Sequence, residues 1–212
     1  MRAVTVVESG VDILDVDIPK PQRNEVLIKV FACGLNRADL VVADGGAHGS
    51  AGGSGTIVGM EFSGEVVEFG SDVTDLEVGD RVMCSGTAAW AEYAVTDWGR
   101  VIKIPDNNMD FITASTLPIA LATMHNAIVT AGEFIKGQSI LIQGASSGVG
   151  LMGLQMAKHL EAKMIISYSI NILLNISDTG CAAFDPGNPQ NTFDSDSPSE
   201  RLDYIFYNKK YI

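Results

Sequence analysis

The 212-residue chain has little positive charge, few cysteines and no long apolar run. Its 14 Lys and Arg stand against 26 Asp and Glu, and the net charge of −12 disfavours nucleic acid and anionic membranes as partners. Cys33, Cys84 and Cys181 show no CxxC spacing, which argues against a disulfide framework or a zinc knuckle. The longest apolar stretch, Met164 to Ile176, is too short and too interrupted to span a bilayer. These absences predict a soluble, cytoplasmic protein.

The hydrophobic content of 46% is enough for a real core. In the first hundred residues, short β-branched runs recur between proline and glycine turn signals. This spacing predicts a compact, barrel-like β module. Its seven predicted strands are Arg2–Glu8, Ile13–Ile18, Glu25–Cys33, Met60–Phe69, Asp80–Cys84, Trp90–Val95 and Val101–Ile104. The Gly/Ala/Ser-rich stretch from Ala43 to Thr56 is predicted to be a flexible loop over a cleft.

The sequence pattern changes at Asp110, where apolar residues begin to recur at helical spacing. Pro118 predicts a kink in this helix and Gly132 predicts its end. We therefore place a domain boundary here, with an N-terminal domain at residues 1–109 and a second domain at 110–212.

A strand, a glycine-rich turn, a helix and a second strand follow at residues 139 to 168. A dinucleotide diphosphate needs backbone N–H groups and the positive end of a helix, and glycines allow the tight turn and close approach. The alternative is an ordinary strand-to-helix turn; a mononucleotide P-loop is excluded because no Lys-Ser or Lys-Thr follows the last glycine. The predicted cofactor-binding residues are Gly144, Ala145, Ser146, Ser147, Gly148, Val149 and Gly150.

The end of the second strand indicates which nicotinamide cofactor is bound. An acidic residue there would hold the ribose 2′-hydroxyl of NAD, but Ser167, Tyr168, Ser169 and Asn171 offer no carboxylate. The sequence therefore favours NADPH, with Ser167 as a further cofactor contact, although no Arg or Lys follows closely. The same glycine pattern occurs in short-chain dehydrogenases, but the chain lacks their Tyr-x-x-x-Lys pair.

From Met1 to about Tyr168 the sequence resembles the medium-chain dehydrogenase/reductase superfamily, in its zinc-free quinone oxidoreductase-like branch. The resemblance implies an α/β protein with a GroES-like β-barrel domain followed by a partial Rossmann domain, a doubly wound parallel sheet. The motifs that carry it are Glu25-Val-Leu-Ile-Lys-Val, Gly34-Leu-Asn-Arg-Ala-Asp39, Gly59-Met-Glu-Phe-Ser-Gly64, Val78-Gly-Asp-Arg-Val82, Trp90-Ala-Glu-Tyr93, and the glycine-rich turn with Gln155-Met-Ala-Lys158.

The resemblance also implies that no zinc is bound. Asn36 stands where the zinc alcohol dehydrogenases place a cysteine ligand, and Met60 stands at their histidine position. Neither side chain is a good zinc ligand, and His48, His125 and His159 form no ligand pair in the sequence. A zinc alcohol dehydrogenase is therefore the least favoured function.

The activity implied is transfer of a hydride from NADPH to a quinone or an α,β-unsaturated carbonyl. In this branch the residues matching Asn36 and Thr123 lie at the nicotinamide, so both are candidate catalytic residues. Their structural alternatives are helix capping by Asn36 and a hydrogen bond from Thr123 to its own helix. Glu61 is predicted to make a buried structural hydrogen bond rather than to act as an acid or base.

Two departures qualify the resemblance. A tyrosine that many relatives carry after the Asp39 helix is replaced by Gly45-Gly-Ala47, which disfavours the enoyl-thioester reductases that depend on it. A complete Rossmann sheet has about six strands, whereas the chain offers four candidates, at 139–143, 163–168, 182–185 and 202–206. We therefore expect a C-terminally truncated chain without the family's usual dimer edge. The alternative function is a catalytically inactive fragment that acts only as a nucleotide-binding or regulatory protein.

Overall fold

The computed structural model describes residues 1–49, 51–105, 108–168, 182–184 and 205–206, and for residues 168, 182–184 and 205–206 it describes the backbone alone. The chain divides into two compact units, Met1–Ile119 and Ala120–Ile212. Among the described helices, none is long and apolar enough to cross a membrane.

The first unit is built on antiparallel β-sheet. A five-stranded sheet has the order β8-β3-β6-β7-β9, and β1 with β2 and β4 with β5 form two-stranded pairs. All seven predicted strands are present. The bounds are β1 (Arg2–Val7), β2 (Gly10–Asp15), β3 (Glu25–Cys33), β4 (Ala47–His48), β5 (Ala51–Gly52), β6 (Glu61–Phe69), β7 (Arg81–Ser85), β8 (Tyr93–Asp97) and β9 (Val101–Lys103).

The glycine-rich stretch from Ala43 to Thr56 differs from its prediction. The short β4–β5 hairpin lies within the expected loop, with Ala47 paired to Gly52 and His48 to Ala51. Glycine composition predicts flexibility, but glycines also supply the positive φ angles that tight turns need. Gly45, Gly49 and Gly52 all have positive φ here.

The core of the first unit follows the alternation of its strands, because successive side chains of a strand point to opposite faces. Val26 and Ile28 of β3, Phe62 of β6 and Val82 of β7 are all fully buried in one cluster. The helix α1 (Arg37–Ala43) follows β3, and a 3₁₀ turn (Trp98–Arg100) separates β8 from β9.

The helix α2 (Phe111–Ser115) packs on β3, β6 and β7 and so belongs to the first unit. The ring of Phe111 stacks on that of Phe31 with centroids 4.8 Å apart, and the guanidinium of Arg81 lies over the Phe111 ring, 4.8 Å from its centroid. The sequence-based boundary between residues 109 and 110 lies before this helix, whereas the two units divide after Ile119.

Pro118 interrupts the helical pattern, as predicted. It begins a separate helix α3 (Pro118–His125), which continues into a π-helical turn (Asn126–Thr130). Proline has no N–H to donate and suits the first position of a helix. The helical segment ends just before Gly132. A Cβ on Gly132 would clash with the carbonyl oxygen of Ala127.

The second unit contains a four-stranded sheet with a helix packed on it. Its described elements are β10 (Ser139–Gln143), α4 (Gly148–His159), β11 (Met164–Tyr168), β12 (Ala182–Phe184) and β13 (Ile205–Phe206). The strand order is β12-β11-β10-β13. Ile140, Ile142 and Ile165 of the sheet form one buried cluster with Leu154 and Ala157 of α4.

The sheet is mixed rather than wholly parallel. The central strands β10 and β11 are parallel, as predicted, because α4 supplies the crossover that a parallel pair needs. The outer pairs, β11 with β12 and β10 with β13, are antiparallel. Antiparallel edge strands on an otherwise parallel sheet are common. Residues 169–181, 185–204 and 207–212 lie outside the described residues.

Candidate cofactor site and active site

The glycine-rich turn joins β10 to α4 through a sharp change of backbone direction. Gly144 has φ of +71°, a value that residues with a Cβ rarely adopt. The N–H of Ser147 donates to the carbonyl of Gly144 at 3.0 Å and closes the turn. Ser147 is the N-cap of α4, and its Oγ accepts the N–H of Gly150 at 2.9 Å. The hydroxyl proton of Ser147 remains free to be donated.

The opening of α4 presents unused backbone donors. Gly148 and Val149 are its first two residues, so their N–H groups have no acceptor four residues earlier within the helix. Gly148 is exposed, and a Cβ built on it would have no neighbour within 4 Å. The space at the Cβ position of Gly148, together with N–H groups at the positive end of the helix, suits a diphosphate. The residues of the turn therefore fit the group that the sequence predicted.

Gly150 has a different role from Gly148. A Cβ on Gly150 would clash with the carbonyl of Gly144 and would lie 2.6 Å from the Cα of Ala145. Ala145 is itself buried. The helix therefore approaches the end of β10 too closely for a side chain at this position.

Gly153 is a further small residue that the sequence analysis did not single out. A Cβ there would clash with the Cε of Met124, so α3 and α4 pack closely at this point. The sequence spacing could have indicated this role, because Gly153 follows Gly150 by about one helical turn and lies on the same buried face of α4.

The other two serines of the predicted cofactor site differ in exposure. Ser146 is partly exposed at the turn, whereas Ser167 is only 8% exposed. Ser167 lies on the face of β11 that carries the core residue Ile165, because residues two apart on a strand share a face. Its assignment to the cofactor site remains a prediction.

In the first unit, Asn36 occupies the N-cap position of α1, and its side chain also reaches a carboxylate on β6. Its backbone N–H donates to the carboxylate of Asp39 at 2.8 Å. Its side-chain Nδ2 donates to Oε1 of Glu61, also at 2.8 Å. Asn36 therefore stands at the capping position that the structural alternative predicted. Its side-chain amide also binds a second carboxylate, that of Glu61.

Glu61 is only 4% exposed and has a donor on each of its two oxygens. Besides Asn36, the backbone N–H of Ile119 donates to Oε2 at 2.9 Å, so the predicted buried hydrogen bond is present. Burial raises the pKa of Glu61, the bonds from Ile119 and Asn36 oppose this rise, and the nearby charge of Asp39 adds to it.

A small cavity of about 40 Å³ lies beside α1, and Asp39, His48, Met60 and Thr87 are among its lining residues. Burial raises the pKa of Asp39, while its hydrogen bonds with Asn36 and the charge of His48 lower it. Met60, at the expected histidine-ligand position of the zinc enzymes, offers a thioether here. Over the part of the chain that the structure describes, no three His, Cys, Asp or Glu side chains gather as metal ligands.

The second predicted catalytic residue, Thr123, belongs to the second unit. It is exposed on α3. The two predicted catalytic residues thus lie one in each unit, Asn36 in the first and Thr123 in the second.

Comparison with known proteins supports this reading of the fold. Residues 22–106 match the alcohol dehydrogenase GroES-like domain. A quinone oxidoreductase from Homo sapiens is 32% identical over 172 residues, which are 78% of this chain and 52% of that protein. A highly reducing polyketide synthase from Aspergillus fumigatus is 36% identical over 149 residues, 69% of this chain and 6% of that protein.

A solved structure of a mycobacterial protein in complex with NADPH superposes with a TM-score of 0.66 and 28% identity, covering 79% of this chain and 52% of that one. The chain thus spans about half the length of the quinone oxidoreductase and a small part of the polyketide synthase. Over the residues that it shares with these proteins, the chain belongs to the medium-chain dehydrogenase/reductase superfamily and is quinone oxidoreductase-like.

Proposed function

We propose that the protein is an NADPH-dependent, zinc-free oxidoreductase that transfers a hydride to a quinone or an α,β-unsaturated carbonyl. The observation that carries the proposal is the helix N-terminus at Gly148, where the first N–H groups have no acceptor within the helix and a Cβ on Gly148 would meet no neighbour within 4 Å. The similarity to a quinone oxidoreductase and to a protein solved with NADPH supports it.

NADPH would be held by the turn from Gly144 to Gly150. The N–H groups of Gly148 and Val149 would donate to the diphosphate, and the Ser147 hydroxyl has a proton left for a phosphate oxygen. When bound, the nicotinamide supplies the hydride. The preference for NADPH over NADH rests on the lack of a carboxylate near the end of β11.

The acceptor oxygen gains negative charge as the hydride arrives, and without a metal this charge must be met by hydrogen-bond donors or water. Asn36 is the candidate donor in the first unit, because its Nδ2 carries two hydrogens; one goes to Glu61 at 2.8 Å, and the side chain also interacts with Asp39. The hydroxyl of Thr123 is exposed and available for contact with the nicotinamide. Both roles are part of the proposal.

The experiment has two stages. Titration of the protein with NADPH and with NADH, followed by the fluorescence of the reduced nicotinamide, measures binding and the preference between them. Oxidation of NADPH is then followed with a simple quinone and with a simple enone. We expect binding, with NADPH preferred, and turnover with at least one acceptor.

Other outcomes identify the rivals. Binding without turnover supports an inactive nucleotide-binding protein. Stoichiometric bound zinc, with activity that a chelator abolishes, supports a zinc alcohol dehydrogenase. If neither nucleotide binds, the oxidoreductase assignment is lost.

A further inference from the structure

We propose that Glu61 is a positioning residue, whose buried carboxylate fixes the side-chain amide of Asn36 in a single orientation. The inference deepens the proposed function and rests on it for its catalytic meaning. The geometry that carries it lies entirely within the first unit.

The carboxylate has two oxygens, and each one accepts a different donor. Oε1 accepts Nδ2 of Asn36 at 2.8 Å and Oε2 accepts the N–H of Ile119 at 2.9 Å. An ionised carboxylate only accepts hydrogen bonds, so it selects the NH₂ side of an amide over its carbonyl side. The planar amide then directs Oδ1 of Asn36 away from Glu61. The bond to Glu61 therefore fixes which end of the Asn36 amide faces the carboxylate and which end faces away from it.

The surroundings prevent Glu61 from moving. The backbone donor at Ile119 cannot reverse its polarity, and a Cβ on Gly34 would lie 2.5 Å from Oε1 of Glu61. The backbone of Glu61 is also held, because its carbonyl oxygen accepts the N–H of Gly34 at 3.1 Å. Asn36 is held on its other side, where its backbone N–H donates to Asp39. Both partners are thus anchored by backbone contacts.

A glutamine at position 61 separates this role from packing. Gln matches Glu in size but offers one acceptor and one NH₂ group. Its acceptor oxygen must face the N–H of Ile119, because that donor is fixed. Its NH₂ group then faces Asn36, whose amide must rotate by half a turn to present Oδ1. The substitution Glu61→Gln therefore reverses the donor and acceptor that Asn36 shows to the site.

Protonation of Glu61 has a related effect, because it removes one acceptor and adds an O–H donor. The other charged groups that bear on this carboxylate are Asp39 on α1 and, through Asp39, His48 on β4. Burial raises the pKa of Glu61, while the bonds from Ile119 and Asn36 lower it.

The test uses nuclear magnetic resonance of the whole chain and needs no turnover. The side-chain NH₂ signals of Asn36 are identified by their loss in Asn36→Ala. In the wild type we expect them to titrate with Glu61, and in Glu61→Gln we expect them to be shifted at all pH values and to lose that titration. Glu68→Gln is the matched control. It removes the same charge from the same strand, at a residue that is exposed. Asn36 signals that are the same in the wild type and in Glu61→Gln would overturn the proposal.

If Glu61→Gln does not fold, Asn36→Ala tests the same contact from the other side. The hydrogen bond from Asn36 lowers the pKa of Glu61, so its loss must raise that pKa further. The backbone amide signal of Ile119 reports this titration, because it donates to the same carboxylate. An unchanged midpoint in Asn36→Ala would count against the contact.

Kinetics then separate positioning from the proposed function. We expect Glu61→Gln to lower kcat on the order of 10-fold to 100-fold, the scale of a misplaced catalytic group, with little change in NADPH affinity. Turnover by Glu61→Gln equal to that of Glu68→Gln would overturn the positioning role. Lack of turnover in the wild type would instead remove the proposed function, while the signals of Asn36 would still decide whether Glu61 orients it.

Discussion

The carboxylate of Glu61 accepts the backbone N–H of Ile119 at 2.9 Å, across 58 residues of sequence. Ile119 is the second residue of α3, so a buried negative charge lies at the N-terminal, positive end of that helix. The same carboxylate accepts the amide of Asn36. One buried side chain of β6 therefore holds both the start of α1 and the start of α3.

This burial predicts a pH dependence of stability. The pKa of Glu61 is raised above its ordinary value of 4.5 because the group is buried. Between the unfolded and the folded pKa, the folded state binds more protons, so the contribution of Glu61 to stability falls as pH rises. That contribution is fully present below the unfolded value and is lost as pH passes the folded one.

We therefore expect the free energy of unfolding of the wild type, relative to Glu61→Gln, to decrease as pH rises from below the unfolded value. Urea unfolding at a series of pH values measures this difference. Using the difference cancels the groups with lowered pKa values, Asp80, Glu92 and Asp110, which act with the opposite sign. A difference that stays constant or increases with pH would contradict the assignment of a raised pKa to Glu61.

The thiol of Cys33 predicts slow chemical modification. It is partly buried, its Sγ donates to the carbonyl of Ala89 at 2.9 Å, and burial raises its pKa to about 11. At about pH 8 only on the order of one thiol in a thousand is then a thiolate, the reactive form. Burial also raises the pKa of Cys84, which is fully buried.

We expect disulfide-exchange labelling of the folded protein to be slow and to accelerate about tenfold per pH unit below the pKa of Cys33. The measurement uses Cys181→Ser, because Cys181 lies outside the described residues. The same protein unfolded in urea is the control and should label rapidly. Rapid labelling of one thiol in the folded protein near neutral pH would show that the raised pKa is wrong.

The strands of the first unit were predictable because burial on one face imposes an alternating pattern on the sequence. That α2 belongs to the first unit could not be predicted in this way. The change of pattern at Asp110 predicts the start of a domain, but it marks only the start of a helix, in which Asp110 accepts the N–H of Thr113 as an N-cap. What ties α2 to the first unit is the stacking of Phe111 on Phe31, and residues 80 apart in sequence give no local signal of contact.

The candidate sites show the same division. The turn after β10 could be predicted because its glycines, strand and helix are contiguous in sequence. The contact of Asn36 with Glu61 could not, because it depends on the register that places Cys33 opposite Phe62 in the sheet. Each residue was noted in its own motif, and only the pairing of β3 with β6 brings the two side chains together.

Replacing Gly150 with alanine sets helix propensity against packing. Replacing a helical glycine with alanine stabilises a helix by roughly 0.5–1 kcal/mol when nothing else changes. At Gly150 the added Cβ would clash with the backbone of Gly144 and Ala145, which cannot yield as a flexible side chain does. Overpacking of this kind costs about 1–3 kcal/mol, so the clash wins.

We therefore expect Gly150→Ala to lower the free energy of unfolding and the affinity for NADPH together. Urea unfolding and fluorescence titration measure the two effects. Gly148→Ala is the matched control for stability, because it adds the same methyl group two residues earlier into open space. Equal stability of the two variants would show that α4 does not approach Gly144 as closely as described.

Gly148 separates cofactor binding from folding more cleanly than Gly150 does. The Cβ of an aspartate at this position would meet no neighbour within 4 Å, and a negative charge in the first turn of a helix is favourable to the helix. The same charge would repel a diphosphate held by the amides of Gly148 and Val149. We therefore expect Gly148→Asp to leave the free energy of unfolding unchanged or slightly higher and to weaken NADPH binding by on the order of 10-fold or more, the scale of about 1.4 kcal/mol.

Gly148→Asn and Gly148→Ala complete the test, since asparagine matches aspartate in size without its charge and alanine adds only a Cβ. We expect both to bind NADPH more tightly than Gly148→Asp does, because only the aspartate adds repulsion. Added salt screens the repulsion between exposed charges, so the defect of Gly148→Asp should shrink as ionic strength rises. A defect shared equally by all three variants would indicate steric exclusion instead of repulsion. If Gly148→Asp binds NADPH as tightly as the wild type does, no diphosphate binds at this turn. A negative charge next to these amides would repel an anion bound there.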